Sequence, residues 1–273
     1  MRETTGGHRP VVLTIAGSDS GGGAGIQADI KTFQAHGVFG ASAITAVTAQ
    51  NTLGVHAAQP VDARLVEKQI LAVATDLRPA ACKLGMLATA EVAEAVADAL
   101  GQTELPNQVL DPVMVATSGD RLLTEEAVRV LKRRLLPLAV IVTPNLDEAE
   151  VLCGSPVRDQ KGMHRAAQEL LKLGCRSVLI KGGHLEGPEI LDLYSDAAGA
   201  REWILPRLPT GDAHGTGCTL SAAIAARLAL GDPLIEAVQA GLVYTRRALE
   251  GAMNPGAGAA VLDHWAGSEI TEG

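Results

Sequence analysis

The sequence predicts an α/β fold with a mostly parallel sheet that helices cover on both faces. Short apolar runs alternate with segments of helical spacing along most of the 273 residues, as in β-strands joined by crossover helices. The first run, Val11–Ala16, is largely apolar, which is typical of a strand buried on both faces. We find no linker that divides the chain, so we expect one domain over residues 1–273, with its core at about 11–250 and a loosely ordered C-terminal tail.

Each strand is predicted from a short apolar run, and each helix from apolar positions three or four residues apart. The predicted strands are Val11–Ala16, Ala43–Thr48, Ala80–Leu84, Val109–Leu110, Val140–Val142 and Val178–Ile180. The predicted helices are Ala24–His36, Asp62–Leu77, Glu91–Leu100, Thr124–Leu135, Leu146–Leu152, Gly162–Leu173, Gly217–Leu230 and Pro233–Leu249. Ile190–Tyr194 and Glu202–Leu205, separated by Ala198–Gly199, predict an antiparallel hairpin at one sheet edge.

Two of these helices carry finer expectations. Asp62 and Thr124 stand where N-cap residues are expected. In the helix after Asp62, the spacing predicts three buried positions, namely Leu65, Ile70 and Leu71. Near the end of the chain, Asn254–Ala260 is rich in glycine and predicts a loop.

Composition excludes several classes of protein. The chain has 23 Lys and Arg against 31 Asp and Glu, a formal net charge of −8, and only two residues each of Trp, Tyr and Phe. A nucleic-acid binder needs basic stripes and stacking rings instead. No apolar run is long enough to span a bilayer, and Met1–Pro10 lacks the pattern of a signal peptide. We therefore expect a cytoplasmic protein with reduced cysteines at Cys82, Cys153, Cys175 and Cys218.

The segment Gly17–Gly25 follows the first strand and contains four glycines in the five positions that end it. Such a turn lets backbone approach a ligand closely. It is neither G-x-G-x-x-G nor a P-loop, so it also fits a purely structural turn. Asp29, in the helix that follows, is expected from its position alone to be solvated.

His214–Thr219 opens a predicted helix with the letters HGTGCT. Backbone N–H groups at a glycine-rich helix start form an anion site suited to phosphate. The same field would favour the thiolate of Cys218. The alternative is a small buried cysteine that simply packs well.

Four further polar residues follow predicted strands: Asp111, Glu148, Lys181 and Gln50. One or two carboxylates suffice for magnesium when a nucleotide supplies the other ligands, and Lys181 is a point charge for a phosphate. The Gln50 carboxamide can donate and accept at once, so it matches an aminopyrimidine edge, although it also fits a loop-capping amide. Because ligands bind beyond the carboxyl ends of parallel strands, these residues together indicate nucleotide-dependent phosphoryl transfer without a P-loop.

At this point the motifs resemble those of the hydroxymethylpyrimidine/phosphomethylpyrimidine kinases of thiamine biosynthesis. They occur in Thr14–Thr52, Lys83–Leu87, Leu110–Leu123, Thr143–Glu150, Lys181–His184 and His214–Ala226. The resemblance implies a ribokinase-like three-layer sandwich, ATP and Mg²⁺ as cofactors, and a homodimer. It also implies transfer of the ATP γ-phosphoryl group to 4-amino-5-hydroxymethyl-2-methylpyrimidine and then a second transfer to the monophosphate.

The resemblance also assigns roles to individual residues. The substrate ring would be read by Gln50 and enclosed by Gly17, Asp29, Val47, Met86 and Val113. Magnesium would lie near Asp111 and Glu148, and the ATP phosphates along Asn145, Lys181 and His214. The anion hole for the transferring group would consist of Gly215, Thr216, Gly217 and Cys218. Cys218 stands where ribokinase relatives usually place an aspartate base.

Two departures from the family pattern concern the phosphates. Ala213, preceded by Asp212, replaces the usual hydroxyl residue, and Thr117 replaces the usual lysine. Both are expected to weaken ATP affinity, while Asp212 is an improbable second base.

Two rival functions stay open at this level. Pyridoxal or pyridoxine kinases share the fold, the anion hole and a CH₂OH acceptor, but pyridoxal lacks the aminopyrimidine edge that Gln50 would match. A non-enzymatic sensor of the pyrimidine is the other rival. It would not need the phosphate chemistry of Asp111, Lys181 and Cys218.

Overall fold

The computed structural model describes residues 9–114, 123–183, 185–209 and 213–266. Nine strands in this part of the chain form one sheet, in the order β3-β2-β1-β4-β5-β6-β7-β8-β9. Their bounds are β1 Val11–Ser18, β2 Phe39–Asn51, β3 Gly54–Pro60, β4 Ala81–Leu84, β5 Gln108–Leu110, β6 Ile141–Val142, β7 Ser177–Ile180, β8 Glu189–Asp196 and β9 Gly199–Pro206.

Helices connect most of these strands, and two further helices follow the last strand. Their bounds are α1 Gly25–Ala35, α2 Ala63–Asp76, α3 Ala90–Thr103, α4 Glu125–Val130, α5 Leu146–Cys153, α6 Gln160–Lys172, α7 Thr216–Ala229 and α8 Leu234–Glu250. The helix predicted over Thr124–Leu135 is regular only as far as Val130. It then widens into a π-helical turn at Leu131–Leu135 and a 3₁₀ turn at Leu136–Leu138.

The centre of the sheet is parallel, and its edges are antiparallel. Strands β2, β1, β4, β5, β6 and β7 run in one direction, so their carboxyl ends meet at one edge. On one side β3 pairs antiparallel with β2, and on the other the β8–β9 hairpin extends the sheet from β7. The predicted mostly parallel α/β sheet and its edge hairpin are both confirmed.

Alternating side chains divide the core into two layers. Val12 packs with α1, α7 and α8 on one face of the sheet, whereas Leu13 and Ile15 pack with α2 to α6 on the other. This alternation follows from the two-residue period of a strand. The result is a three-layer sandwich, as expected.

Both predicted helix caps are confirmed, but two of the three buried positions in α2 are wrong. The Asp62 carboxylate accepts the Leu65 N–H at 3.1 Å, and the Thr124 hydroxyl accepts the Ala127 N–H at 3.2 Å. Ile70 is fully buried, yet Leu65 is 51% exposed and Leu71 is half-buried. The buried stripe passes through Val66 instead, one residue along from Leu65, because the helix is rotated relative to the expected face.

Strand β3 was not predicted, and β2 is longer than expected. The β3 sequence, GVHAAQP, has no apolar alternation, and most of its residues are exposed. Its extended form comes from pairing with β2, from Ala46 opposite Pro60 to Asn51 opposite Gly54. No helix in the described part of the chain is long and apolar enough to cross a membrane.

Candidate active site

A cavity of about 660 Å³ opens where the parallel strands end. Most residues singled out from the sequence line it: Gly17, Gln50, Met86, Asp111, Val113, Asn145, Glu148, Lys181, His214, Gly215, Thr216, Gly217 and Cys218. Asp29 and Val47 are not among its walls. Val47 lies on β2, where it pairs with Gln59 of β3, and is 51% exposed. The cavity is therefore bounded by the ends of β1, β2, β5 and β7 and by the start of α7.

Lys181 lies just beyond β7 between two carboxylates. Its Nζ donates to Oδ1 of Asp111 at 3.1 Å and lies 3.9 Å from Oε2 of Glu148. Asp111 follows β5 and also accepts hydrogen bonds from Thr143 and Ser221, each at 3.3 Å. With both carboxylates ionised, one positive and two negative charges leave this group, the Lys181 cluster, with an excess negative charge.

The excess charge appears in the pKa values of the cluster. Burial raises the pKa of Glu148 to about 7, because the nearby Asp111 carboxylate adds to the effect and Lys181 and two backbone hydrogen bonds offset only part of it. Burial alone would lower the pKa of Lys181, but Asp111 and Glu148 raise it. The lysine therefore stays charged while Glu148 is poised to exchange a proton near neutral pH.

Asn145 holds Glu148 in place through a capping box at the start of α5. The Asn145 side-chain oxygen accepts the Glu148 N–H, and Oε2 of Glu148 accepts the Asn145 N–H, both at 2.8 Å. Two donors of the helix start are satisfied in this way. The capping box uses only the oxygen of the Asn145 carboxamide and leaves its nitrogen outside the box.

Two glycines allow the start of α7 to approach the rest of the site. Gly215 has φ +89°, and a Cβ there would lie 1.9 Å from the carbonyl oxygen of Gly23. A Cβ on Gly217 would lie 2.9 Å from Nζ of Lys181. The Thr216 hydroxyl donates to the carbonyl of buried Ala213 at 2.8 Å. The start of α7 therefore lies directly beside the glycine-rich loop and Lys181.

Cys218, in the first turn of α7, is a thiol rather than the expected thiolate. Burial raises its pKa to about 11; the Asp29 and Asp111 carboxylates also raise it, while Lys83 and a hydrogen bond from the Gly25 backbone lower it. The helix field is therefore too weak to offset burial among carboxylates.

Asp29 is neither solvated nor part of the cavity wall. It is fully buried, accepts the Thr14 hydroxyl at 2.6 Å, and pairs with Lys83 Nζ at 2.9 and 3.0 Å. Burial would lower the pKa of Lys83, but the Asp29 carboxylate raises it and keeps the lysine charged. Lys83 does line the cavity. Lys83 was not predicted as a site residue, although it begins the KLGML motif.

Asp19 is the second residue that the sequence analysis missed. Its carboxylate accepts the backbone N–H groups of Gly21, Gly23 and Ala24 at 2.8 to 3.0 Å, and its Oδ2 lies 3.0 Å from Nε2 of His214. Burial would raise the pKa of Asp19, but these hydrogen bonds lower it. A carboxylate within the glycine-rich loop was the available signal.

Gln50 also contacts His214. The nitrogen Nε2 of Gln50 lies 3.0 Å from Nε2 of the imidazole, and Oε1 of Gln50 lies 3.2 Å from the Thr48 hydroxyl. The residue proposed to read the substrate and the residue before the anion hole are therefore in direct contact.

The C-terminal segment after α8 passes beside this contact. The His214 N–H donates to Ala260 O at 2.8 Å, and the Ala259 N–H donates to Thr52 O at 2.8 Å. Val261 pairs with both His214 and Met253. The segment predicted as a loop thus links the anion-hole start to the turn after Gln50. Thr117, His184 and Asp212 lie outside the described residues, as does the segment 115–122.

Three comparisons place the chain among known proteins. The family model described as phosphomethylpyrimidine kinase matches residues 19–263. A hydroxymethylpyrimidine/phosphomethylpyrimidine kinase of Haemophilus influenzae is 47% identical over 270 residues, which cover 95% of this chain and 98% of the relative. These matches span the glycine-rich loop, the Lys181 cluster and the anion hole.

Two solved structures resemble the fold closely. The phosphomethylpyrimidine kinase of Clostridium difficile superposes with a TM-score of 0.80 at 43% identity, covering 88% of this chain and all of that one. A pyridoxal kinase of Staphylococcus aureus, in complex with AMP-PCP and pyridoxal, gives a TM-score of 0.89 at 33% identity, covering 97% and 96% of the two chains. With the family model and the relative at 47% identity, these findings show that the chain belongs to the phosphomethylpyrimidine kinase family, within the ribokinase-like fold.

Proposed function

We propose that the chain is an ATP-dependent kinase that phosphorylates 4-amino-5-hydroxymethyl-2-methylpyrimidine, and then its monophosphate, for thiamine biosynthesis. The observation that carries the proposal is a single cavity that joins a candidate heterocycle reader, Gln50, to the Lys181 cluster by way of the Gly215–Cys218 helix start. A phosphoryl acceptor and a donor need such neighbouring compartments, because transfer depends mainly on positioning and charge neutralisation. The AMP-PCP complex of the Staphylococcus aureus pyridoxal kinase supports ATP as the donor.

The Lys181 cluster has a donor set that fits Mg²⁺. Asp111 and Glu148 offer oxygen ligands and an excess negative charge, and a nucleotide-bound magnesium needs only one or two carboxylates. Among the described residues no group of three or more His, Cys, Asp and Glu side chains forms a self-contained metal site, which agrees with a metal shared with phosphates. Mg²⁺ bound there would neutralise phosphate charge during transfer.

The residues of this chain divide the remaining work. Lys181 and the α7 backbone N–H groups stabilise charge on the transferring group. We expect Cys218, which lines the cavity, to take the proton of the substrate CH₂OH in the first transfer, although its raised pKa leaves little thiolate at neutral pH. In the second transfer the nucleophile is a phosphate oxygen that is already ionised, so no base is needed.

Pyridoxal phosphorylation is a second candidate activity. It is favoured by the similarity to the Staphylococcus aureus enzyme, whose structure contains pyridoxal. The same Lys181 cluster and anion hole would serve either acceptor, so Gln50 is the residue expected to discriminate between them. A sensor without catalysis is disfavoured because the phosphate chemistry would then have no role.

Further expectations concern the whole protein. We expect the described fold to work as one catalytic domain, in a homodimer, in the cytoplasm. The family resemblance supports these expectations, which size-exclusion chromatography with light scattering and cell fractionation would test.

Mass spectrometry of the reaction products tests the proposed function. With ATP·Mg²⁺ and the hydroxymethylpyrimidine we expect the monophosphate first and the diphosphate later. A parallel reaction with pyridoxal measures the second candidate. Phosphorylated pyridoxal without any phosphorylated pyrimidine would overturn the proposal, and the absence of both products would favour the sensor.

A further inference from the structure

One ring nitrogen, Nε2 of His214, faces two partners that make conflicting demands. It lies 3.0 Å from Oδ2 of Asp19 and 3.0 Å from the terminal nitrogen of Gln50. An ionised carboxylate can only accept a hydrogen bond, and a carboxamide NH₂ can only donate one. No protonation state of Nε2 satisfies both, because the nitrogen either carries a hydrogen or offers a lone pair.

The Asp19 side of the conflict is fixed. Asp19 is buried, and its carboxylate accepts three backbone N–H groups of its own loop, from Gly21, Gly23 and Ala24. These bonds stabilise the ionised form. Nε2 of His214 must therefore carry a hydrogen and donate it to Asp19, which leaves no lone pair for the Gln50 NH₂ group.

A second conflict lies at the other end of the Gln50 carboxamide. The Thr48 hydroxyl lies 3.2 Å from Oε1 of Gln50 and donates its one hydrogen to the carbonyl of Ser18 at 3.0 Å. It has none left for a second acceptor, so it can only accept from Gln50. Oxygen and nitrogen of a carboxamide are told apart by their hydrogen-bond partners. A half-turn of the Gln50 amide removes both conflicts: its nitrogen then donates to Thr48, and its oxygen shares the Nε2 hydrogen of His214 with Asp19 in a three-centre hydrogen bond.

We propose that Asp19 and His214 are positioning residues that hold Gln50 in this one amide orientation and thereby set the selectivity for the acceptor. The proposal deepens the proposed function and rests on it for the identity of the substrate. Gln50 then keeps one N–H and one oxygen lone pair for the cavity. These match the adjacent ring nitrogen and amino group of an aminopyrimidine in one order only, since the opposite order would set acceptor against acceptor and donor against donor.

The amide orientation of Gln50 affects recognition because the substrate must bind in one orientation for transfer. Its CH₂OH group must point toward the Cys218 end of the cavity for transfer, which fixes the order of groups along its edge. Without Asp19, the hydrogen on Nε2 of His214 loses its carboxylate acceptor, and the amide orientation of Gln50 is no longer enforced from this side. The site then loses part of its discrimination between an aminopyrimidine and pyridoxal.

Nitrogen-15 NMR of the labelled histidines in the full chain directly tests the proposed positioning of Gln50 by Asp19 and His214. With the imidazole neutral, His214 of the native protein is expected to carry its hydrogen on Nε2. The resonance is assigned by its loss in His214→Gln. A hydrogen on Nδ1 alone in the native protein would overturn the proposal and needs no variant that alters Asp19.

Asp19→Asn tests the effect on catalysis. We expect the KM for the pyrimidine to rise about tenfold, the size of one charge-assisted hydrogen bond, and the preference over pyridoxal to fall. The KM for ATP and kcat are expected to stay within about twofold of the native values, while the His214 signal shifts toward the Nδ1–H form. An unchanged His214 signal together with an unchanged KM for the pyrimidine would contradict the proposed positioning of Gln50.

Asp62→Asn is the matched control. It also removes a carboxylate that accepts a backbone N–H, at the start of α2, but Asp62 is exposed and lies outside the cavity wall. A general effect of replacing a carboxylate that accepts a backbone N–H would therefore appear in both variants, whereas the KM and tautomer changes should appear only in Asp19→Asn. If the native protein phosphorylates no pyrimidine at all, the proposed function fails. The NMR result still decides whether Asp19 holds the hydrogen of His214 on Nε2.

Discussion

Two buried lysines of this protein lie in opposite electrostatic situations. Lys83 pairs with a single carboxylate, Asp29, and both side chains are fully buried. Lys181 lies between two carboxylates, Asp111 and Glu148, and borders the cavity. The first pair is neutral as a unit, whereas the Lys181 cluster has an excess negative charge, and burial together with the Asp111 carboxylate raises the pKa of Glu148 to about 7.

The difference separates a structural group from a functional one. A neutral, fully buried pair has no excess charge for a ligand to balance. A buried cluster with unbalanced charge is costly unless a cation or proton joins it. Charge balance is therefore the basis on which we propose the Lys181 cluster, and not the Lys83–Asp29 pair, as the site for a metal and phosphates.

The largest expected effect comes from breaking the neutral pair. Asp29→Asn leaves the Lys83 ammonium buried without its carboxylate, and we expect the free energy of unfolding to fall by about 3–5 kcal/mol. Urea denaturation measures this change. The matched control is the double variant Asp29→Leu with Lys83→Met, which should recover most of the loss. If Asp29→Asn is as stable as the native protein, the pair is not the structural group described here.

Lys181→Met is expected to have the opposite profile. It removes the positive charge that we propose faces the transferring phosphoryl group, and kcat should fall about 10²–10³-fold. The unfolding free energy should change far less than in Asp29→Asn, because Glu148 can take up a proton. Steady-state kinetics beside urea denaturation makes the comparison; a variant that loses stability but keeps its kcat would reverse the two assignments.

Cys218→Ala should distinguish the two phosphoryl transfers. We expect the first transfer to slow about 10²-fold and the second to change little, since only the first acceptor must lose a proton. In the native enzyme the first transfer should also speed up as pH rises toward about 11, the raised pKa of the thiol. Single-turnover rates for each substrate measure both effects. Equal losses in the two steps would exclude Cys218 as the base.

The smallest effect is a pH dependence of stability that arises from Glu148. Its pKa is about 7 in the folded chain against 4.5 ordinarily, so the native state binds more protons than the unfolded state between these values. Stability should therefore fall by about 2 kcal/mol as pH rises from 4.5 to 7. Glu148→Gln should remove this part of the slope, and any slope that remains would come from other groups such as Asp192, whose pKa burial raises to about 6.

Local sequence patterns predicted much of this architecture. Apolar runs located the parallel strands, and single side chains such as Asp62 and Thr124 located helix starts, because both signals act within a few residues. The convergence of Asp111, Glu148 and Lys181 followed from one rule, that parallel strands end at the same edge.

The features that were missed depend on partners distant in sequence. Strand β3 is extended because β2 pairs with it, and its own residues carry no alternating pattern. Asp29 is buried because Lys83, 54 residues away, neutralises it. The pKa of Cys218 reflects burial and charges from three other segments, so the local helix start could not predict it.

Binding of Mn²⁺, followed by electron paramagnetic resonance in the presence of AMP-PCP, tests the contrast between the two lysine groups most directly. The native protein should bind the ion together with the nucleotide, and Asp111→Asn should weaken that binding by about tenfold or more. The double variant Asp29→Leu with Lys83→Met should bind Mn²⁺ as the native protein does. Equal binding in Asp111→Asn, or loss of binding in the double variant, would contradict the account.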